Sequence, residues 1–294
     1  MKPFENILFP VDFSPPCAAI APYVKRAAEM FGAKVTLAHV FDLGSSVGLE
    51  LYVRPLPEVL ADHHTAARNQ LSSFLVQEFP LAEHSRIVLS GEVATRLIEL
   101  ARTGGFDLII MPTHAGHFRS ALLGSTTAKV LNGADCPVLT TQHAEMMVPR
   151  SLQHREWVCG IDLSPCSEWM LRFASNAADA AGATLTAIHA VPAREANGPI
   201  QFDLDEEAYS SVALAARLEL DKLQKVSGFR TQVRMALGPV KEVLLEVARR
   251  RDADVLVIGR GSGDGPSGRL RDLAYGMVRD CGSPKLRPTV KSIR

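Results

Sequence analysis

Short runs of apolar residues alternate along the chain with longer segments in which apolar residues recur at every third or fourth position. In the first half, the short runs predict five β-strands, at residues 7–11, 35–40, 86–89, 108–111 and 137–140. The longer segments predict helices near residues 15–31, 57–79, 94–103 and 126–133. Gly32 and Gly104 stand where two of these helices are expected to end. Because the strands are often apolar on both faces, the pattern predicts a buried parallel sheet.

The second half of the chain repeats the first. Residues 7–15 are echoed by residues 157–165, and residues 32–39 are echoed by residues 182–189. Both matches occur at a shift of 150 positions. A repeat of this length indicates two copies of one structural unit in tandem.

The repeat also fixes the expected domain organisation. Residues 106–111 match residues 253–258 at a shift of 147, so a few residues differ between the copies. We predict domain 1 at residues 1–143, a linker at residues 144–155 and domain 2 at residues 156–294. With right-handed crossovers, the predicted fold is α/β, with two tandem doubly wound parallel five-stranded sheets and flanking helices.

Doubly wound sheets bind ligands beyond the carboxyl ends of their strands, which directs attention to the loops after Val11, Val40 and Met111. Past the last of these strands, Gly124-Ser125-Thr126 begins a predicted helix. Free backbone N–H groups, two hydroxyls and the positive end of a helix dipole suit a phosphate there. The alternative is a capped helix in which the hydroxyl of Ser125 bonds only its own backbone.

Composition and charge exclude several classes of function. The chain has 32 Lys and Arg residues against 32 Asp and Glu residues, so no overall field favours nucleic acid or an anionic membrane. The start has no signal-peptide pattern, and no apolar run reaches the length of a membrane span, so we expect a cytoplasmic protein. Five irregularly spaced cysteines indicate reduced thiols rather than a disulfide framework or a zinc site.

Four separated motifs, in order, resemble the universal stress protein family. They are the stretches at residues 9–14, 37–40, 112–125 and 134–139. The resemblance extends over both copies and implies a Rossmann-like fold of the adenine nucleotide alpha hydrolase-like type. It also implies a stress-response sensor or regulator that binds ATP with Mg²⁺ and hydrolyses it slowly, if at all.

The family places an Asp after the first strand, a Val after the second, and a Gly-x2-Gly-x9-Gly-[Ser/Thr] signature after the fourth. By this resemblance, the residues expected at the nucleoside are Pro10, Val11, Asp12 and Val40. Those expected at the phosphates are Gly124, Ser125 and Thr126.

The first copy departs from the signature in its phosphate loop. Pro112 and Ala115 stand where the two leading glycines belong, and eight residues instead of nine follow Ala115 before Gly124. Pro112 has no N–H for a phosphate, whereas Gly116 supplies the left-handed turn if the alignment shifts by one position.

The second copy departs further. It keeps Asp162, but the spacing counted from Gly259 leads to Asp272 and Leu273 in place of Gly-Ser, and a carboxylate there would repel a phosphate. A formal Gly-x-Gly-x-x-Gly at residues 263–268 is interpreted as accidental, because too few residues follow it for a dinucleotide-binding half. We therefore expect nucleotide in domain 1 alone.

Two other functions remain open: a ligand-free interaction scaffold in which both sites have decayed, and a nucleotide-hydrolysing or adenylate-forming enzyme. The sequence contains no recognisable catalytic set, which argues against an enzyme. The edge strand predicted near residues 135–141 indicates pairing of the two domains within the chain, with homodimerisation as a further expectation.

Three remaining features are given structural interpretations. Asp62-His63-His64 is interpreted as the solvated face of a helix and not as a metal site. His39 and His189 are interpreted as satisfied histidines whose equivalence reflects the duplication. Cys17 and Cys166, near predicted helix starts, are expected to be buried and slow to react.

Overall fold

The computed structural model describes residues 3–44, 54–113, 123–141, 153–191, 200–202, 211–227, 233–259, 277 and 289–293. The chain divides into two compact units, Lys2–Arg150 and Ser151–Arg294, which are called the first and second unit below. The division falls between Arg150 and Ser151. The finer domain bounds, 1–143 and 156–294 with a linker at 144–155, stay a prediction.

The first unit is a parallel sheet covered by helices. In chain order its elements are β1 (Asn6–Pro10), α1 (Pro15–Ala19), α2 (Ala21–Phe31), β2 (Lys34–Phe41), α3 (Leu56–Ser73), β3 (Ser85–Ser90), α4 (Val93–Thr103), β4 (Leu108–Pro112), α5 (Ser125–Gly133) and β5 (Val138–Thr141). The sheet order is β3-β2-β1-β4-β5, and every neighbouring pair is parallel. The order reverses beside β1, which creates a crevice at the carboxyl ends of β1 and β4.

The second unit has the same plan. Its elements are β6 (Glu156–Ile161), α6 (Ser167–Ala180), β7 (Thr184–Val191), β8 (Gln201–Phe202), α7 (Ser211–Ser227), β9 (Val233–Leu237), α8 (Val240–Arg250), β10 (Val255–Gly259) and β11 (Thr289–Ile293). The five strands β11-β10-β6-β7-β9 are parallel, and the short β8 pairs antiparallel with β9. The predicted α/β fold with two doubly wound parallel sheets is confirmed.

The helix predicted over residues 15–31 is divided at Ile20. Pro22 has no N–H and cannot bond the carbonyl of Ala18, so the first turn ends and α2 begins anew at Ala21. At its other end α2 stops at Gly32, whose φ of 62° lies in the left-handed region that a glycine adopts without strain.

The helix predicted over residues 57–79 ends earlier, at Ser73. Arg86 of β3 lies beneath this end and donates hydrogen bonds to the carbonyls of Leu71, Phe74 and Phe79 at 2.7, 2.9 and 2.8 Å. One guanidinium thus satisfies carbonyls on both sides of the turn, and Phe74 leaves the helix with an extended backbone.

The last strand of the second unit lies later than the alignment of the copies predicts. The sequence places its counterpart of β5 near residues 281–288, where two prolines interrupt the pattern. That segment lies outside the described residues, and β11 forms at Thr289–Ile293, where no proline removes a ladder donor. Among the described residues, no helix is both long and apolar enough to cross a membrane.

Candidate functional site

A cavity of about 180 Å³ opens beyond the carboxyl ends of β1, β2 and β4 in the first unit. Strand ends and the loop after β1 supply most of its lining: Pro10, Val11, Asp12, Ala38, Val40, Met111 and Pro112. Two helices supply the rest: Val93 and Leu97 from α4, and Thr126 and Thr127 from α5. The wall is mainly apolar, with one carboxylate at the loop and two hydroxyls at the start of α5.

Five of the eight predicted site residues line this cavity: Pro10, Val11, Asp12, Val40 and Thr126. Gly124 and Ser125 lie at the start of α5 but are not among the lining residues. Gly116, and Ala115 before it, lie outside the described residues. The structure therefore brings the nucleoside-side residues together with one of the phosphate-side residues.

The loop after β1 is folded around the carboxylate of Asp12. Its Oδ1 accepts hydrogen bonds from the backbone N–H of Ser14 at 3.0 Å and from the hydroxyl of Ser14 at 2.6 Å. The hydroxyl of Ser14 in turn accepts from the N–H of Cys17 at 3.3 Å and caps α1. Between them Phe13 has a φ of 61°, which is uncommon for a side chain other than glycine. Hydrogen bonds to Asp12 and Ser14 therefore hold the loop between β1 and α1.

His39 of β2 contacts two residues of this loop, Val11 and Phe13. Its Nδ1 lies 2.7 Å from the carbonyl oxygen of Val11, and its ring lies 4.4 Å from the ring of Phe13. Phe13 also packs edge-on against Phe74 at 5.2 Å. These contacts agree with the interpretation of His39 as a hydrogen-bonded histidine.

The start of α5 differs from the capped-helix interpretation, and one donor of the phosphate interpretation is already bonded. The N-cap is Gly124 and no side chain caps the helix, so Ser125 is the first helical residue and not the cap. The N–H of Gly124, expected at a phosphate, instead donates to the carbonyl of Thr113 at 2.9 Å. The first intrahelical bond runs from Ala128 N to Gly124 O at 2.9 Å, so the N–H groups of residues 125–127 precede it.

The hydroxyl of Thr127 fastens α5 to the end of β4. It donates to the carbonyl of Pro112 at 3.1 Å, and the side chain is almost fully buried. Pro112 itself continues β4 in register with Thr141. The next residue, Thr113, donates to the carbonyl of Thr141 at 3.0 Å, so the hydrogen bonds between β4 and β5 continue past the proline.

Sequence reasoning missed the helical wall of the cavity. Val93 and Leu97 lie four positions apart on one face of α4, and Ala38 lies two positions before Val40 on one face of β2. The same four-residue spacing recurs at Val240 and Leu244, the counterparts at a shift of 147. This repetition is the feature of the sequence that could have indicated Val93 and Leu97.

The second unit builds the same loop after its first strand. Asp162 Oδ1 accepts from the N–H of Ser164 at 3.0 Å and from the hydroxyl of Ser167 at 3.1 Å. Leu163 has a φ of 59°, and His189 Nδ1 lies 2.9 Å from the carbonyl oxygen of Ile161. Burial lowers the pKa of His189, so its neutral form is favoured.

The side chains around the second crevice are different. Gly160 replaces Pro10, and a Cβ placed on it would lie 2.8 Å from a methyl carbon of Leu244. Gly259 replaces Pro112, and a Cβ there would lie 3.2 Å from the sulfur of Met170. Leu244 and Met170 therefore pack directly against the strand ends that border the crevice. The segment that follows, with residues 263–268, Asp272 and Leu273, lies outside the described residues.

The remaining candidates fall outside the cavity. Asp62 accepts from Arg54 at 2.6 Å and the ring of His63 stacks on Phe41 at 6.2 Å, consistent with a helix face. Within the described segments, no group of three or more His, Cys, Asp or Glu side chains is arranged to hold a metal ion.

The expectation for the two helix-start thiols is half wrong. Cys17 is fully buried and its Sγ lies 3.7 Å from the carbonyl of Pro10, and burial raises the pKa of its thiol to about 12. Cys166, the N-cap of α6, is exposed, and it is the next residue, Ser167, that is buried.

A doubly wound parallel sheet with an apolar cavity beyond its carboxyl edge defines the class as a Rossmann-like α/β protein. The model of the universal stress protein family matches residues 3–142 and 155–276. The chain therefore belongs to the universal stress protein family and contains two of its domains in tandem.

Relatives cover either one unit or the whole chain. A universal stress protein of Mycobacterium tuberculosis is 26% identical over 282 residues, which is 90% of this chain and 89% of the relative. Universal stress protein A homolog 2 of Coxiella burnetii is 30% identical over 127 residues, 41% of this chain and 84% of the relative.

Among solved structures, a universal stress protein from Archaeoglobus fulgidus superposes with a TM-score of 0.67. It is 17% identical and the match covers 98% of this chain and 96% of that chain. At this identity the likeness supports the fold alone.

Proposed function

We propose that this protein is a stress-response sensor or regulator that binds one adenine nucleotide, ATP with Mg²⁺, in the cavity of the first unit. The observation that carries the proposal is the convergence of Asp12, Val40 and Thr126 on one cavity. These are residues that the family resemblance assigns to ribose, adenine and phosphate.

The apolar part of the cavity suits the base. Val40 on β2, Val93 and Leu97 on α4 and Met111 on β4 all line it. A planar aromatic base gains affinity by leaving water for such a slot. At about 180 Å³ the cavity is small for a whole nucleotide, so the ribose and phosphates extend toward Asp12 and α5.

Asp12 is suited to the ribose hydroxyls. Both of its described hydrogen bonds, from the N–H and the hydroxyl of Ser14, use Oδ1, so Oδ2 is the oxygen offered to a ligand. The side chain is exposed at the cavity, and a carboxylate oxygen is a strong acceptor for a sugar hydroxyl.

The phosphates are assigned to the start of α5. The N–H groups of Ser125, Thr126 and Thr127 lie before the first intrahelical bond, and the helix dipole favours negative charge there. Mg²⁺ keeps several waters and takes its ligands largely from the phosphates, so it does not need an acidic cluster of the protein.

Two measurements test the proposal. Protein purified without added nucleotide is denatured and its supernatant is searched for adenine nucleotides by mass spectrometry, and stripped protein is then titrated calorimetrically with Mg-ATP. We expect saturable binding with at most one ATP per chain. No copurified nucleotide and no heat of binding would instead favour the ligand-free scaffold.

The scaffold alternative has support in the second unit. Leu244 and Met170 pack against Gly160 and Gly259 at the strand ends, which is the arrangement expected of a crevice that no longer admits a ligand. We propose that the second unit acts as a degenerate partner of the first. Slow ATP hydrolysis, if present, is checked by a phosphate-release assay on the same protein.

Location and assembly follow the family expectation. We propose a cytoplasmic protein whose two domains pair within the chain and which homodimerises in addition, without nucleic-acid or membrane partners. Sedimentation velocity over a range of concentrations tests the homodimer, which predicts a species of twice the 31.9 kDa chain mass.

A further inference from the structure

The strand β2 presents different side chains to its two faces at the level of the cavity. Ala38 and Val40 line the cavity, whereas His39 between them points to the other face, as alternation along a strand requires. Phe41 lies on the same face as His39 and stacks on His63 of α3. His39 therefore reaches the loop after β1 from behind and lies outside the set of cavity-lining residues.

Residues of β2 bond both backbone polar groups of Val11, its N–H and its carbonyl oxygen. Its N–H donates to the carbonyl of Ala38 at 2.8 Å, and its carbonyl oxygen lies 2.7 Å from His39 Nδ1. A carbonyl oxygen only accepts, so Nδ1 must carry the proton. In its neutral form His39 is therefore the Nδ1–H tautomer.

The two residues after Val11 depend on this anchor. Asp12 lines the cavity, and Phe13 follows it with its backbone in the left-handed region at a φ of 61°. A residue with a Cβ persists in that conformation when its surroundings specify it. The ring of His39 at 4.4 Å packs against the side chain of Phe13 and supplies part of that environment.

The second unit contains the same anchor without the same cavity lining. His189 contacts the carbonyl of Ile161 at 2.9 Å, and Leu163 there has a φ of 59°. The lining residues Pro10 and Val40 are replaced by Gly160 and Ala190. Because the anchor recurs while the lining changes, the contact specifies the loop itself.

We propose that His39 is a positioning residue for nucleotide binding: its Nδ1–H bond to Val11 and its packing on Phe13 hold the carboxylate of Asp12 toward the ribose. The role rests on the proposed function, because it needs a nucleotide in the cavity. His189 holds the equivalent loop but has no such effect on affinity.

The test compares two nucleotides on four proteins. Mg-ATP and Mg-2′,3′-dideoxyATP, which lacks the ribose hydroxyls, are titrated into wild type, His39→Leu, His39→Asn and His189→Leu. Asparagine can place an amide N–H near the position of Nδ1, whereas leucine cannot. Circular dichroism establishes that each variant is folded before titration.

We expect His39→Leu to bind Mg-ATP about fivefold more weakly and the dideoxy analogue with little change. The ratio of the two Kd values, which measures the preference for ribose hydroxyls, therefore becomes smaller than in wild type. His39→Asn restores part of that preference, and His189→Leu leaves it within about twofold of wild type. A defect that is merely structural would weaken both nucleotides equally and would contradict the proposal.

Nitrogen-15 NMR of the histidine rings supplies a readout that needs no nucleotide. We expect the Nδ1–H tautomer for His39, and the Nε2–H tautomer would overturn the proposal even if His39→Leu fails to fold. If wild type binds ATP and His39→Leu retains the full preference, the positioning role is wrong and the proposed function stands. If wild type binds no nucleotide, the proposed function is wrong and the positioning role is lost with it.

Discussion

The crevices of the two units share a backbone and differ in the side chains that border it. In both, the loop after the first strand passes through a left-handed residue, Phe13 or Leu163, and an aspartate oxygen accepts from a following serine. In the first unit the strand ends surround an open cavity of about 180 Å³. In the second, Leu244 packs against the glycine that replaces Pro10.

The geometry of the loop is therefore separable from the lining of the cavity. A duplicated fold keeps the turn, because its hydrogen bonds lie within the loop and to the adjacent strand. The cavity depends instead on a few lining positions, where one glycine lets a neighbouring leucine move onto the strand.

The largest expected contrast concerns the thiols at the helix starts. Cys17 is buried with its thiol pKa raised to about 12, so only about one part in 10⁴ is thiolate at pH 8. Cys166 is exposed. We expect alkylation of Cys166 to be at least about a hundredfold faster than that of Cys17, measured by peptide mass spectrometry of timed samples. Equal rates would mean that the first unit opens readily around α1.

The next contrast is in core packing. Leu97 and Leu244 are equivalent and both buried, but Leu97 borders the open cavity and Leu244 packs against Gly160. We expect Leu244→Ala to lower the free energy of unfolding by about 4 kcal/mol and Leu97→Ala by about 2 kcal/mol, because Leu97 lines a cavity on one side.

Denaturant unfolding measures both variants. Trp157 and Trp169, the two tryptophans of the chain, lie in the second unit, so tryptophan fluorescence follows that unit and circular dichroism follows both. A larger loss for Leu97→Ala than for Leu244→Ala would mean that the first crevice is as tightly filled as the second.

The third contrast is in nucleotide affinity. Asp12→Asn keeps an acceptor for Ser14 but removes the charge offered to the ribose, so we expect about tenfold weaker binding of Mg-ATP. Asp162→Asn, its matched control, is expected to leave the affinity unchanged. Calorimetric titration measures the affinity of both variants for Mg-ATP. Weaker binding by Asp162→Asn but not by Asp12→Asn would place the nucleotide site in the second unit.

The smallest contrast is at the starts of two equivalent helices, α4 in the first unit and α8 in the second. Glu92 caps α4 through the N–H of Thr95 at 2.7 Å and accepts from Lys129 of α5 at 2.8 Å, whereas Pro239 at the equivalent position of α8 has no side-chain cap bond. The hydrogen bonds from Lys129 and then from Thr95 lower the pKa of Glu92 to about 2.

A carboxylate with a lowered pKa in the folded state stabilises it above the unfolded pKa, about 4.3, and this contribution is lost as the pH falls toward 2. We expect Glu92→Gln to reduce the melting temperature slightly at pH 7 and by less at pH 3. Thermal melts followed by circular dichroism at the two pH values check this. If Glu92→Gln lowered the melting temperature more at pH 3 than at pH 7, the pair of Glu92 and Lys129 would not be the source of the stabilisation.

The sequence predicts the fold of both units because period and duplication are global signals. It places the helix end at Gly32 correctly, since glycine at a left-handed cap is a local rule. It misses the break at Ile20 and the early end of α3, because Pro22 and the Arg86 guanidinium act against an apolar pattern that continues through both points.

The site is predicted less completely than the fold. The strand-end residues Val11, Asp12 and Val40 follow directly from the topology and from the family resemblance. Val93 and Leu97 do not, because their place at the cavity depends on how α4 packs over the sheet. The hydrogen bond of the Gly124 N–H to Thr113 also depends on tertiary structure, and it removes a donor that the signature assigns to phosphate.

Hydrogen exchange of the full chain with and without saturating Mg-ATP tests the central claim that nucleotide binds in the first unit alone. We predict slower exchange, on adding nucleotide, at the loop that carries Asp12 and at the N–H groups of residues 125–127, with no change at the loop that carries Asp162. Slower exchange at the Asp162 loop, alone or together with the Asp12 loop, would show that nucleotide also binds in the second unit.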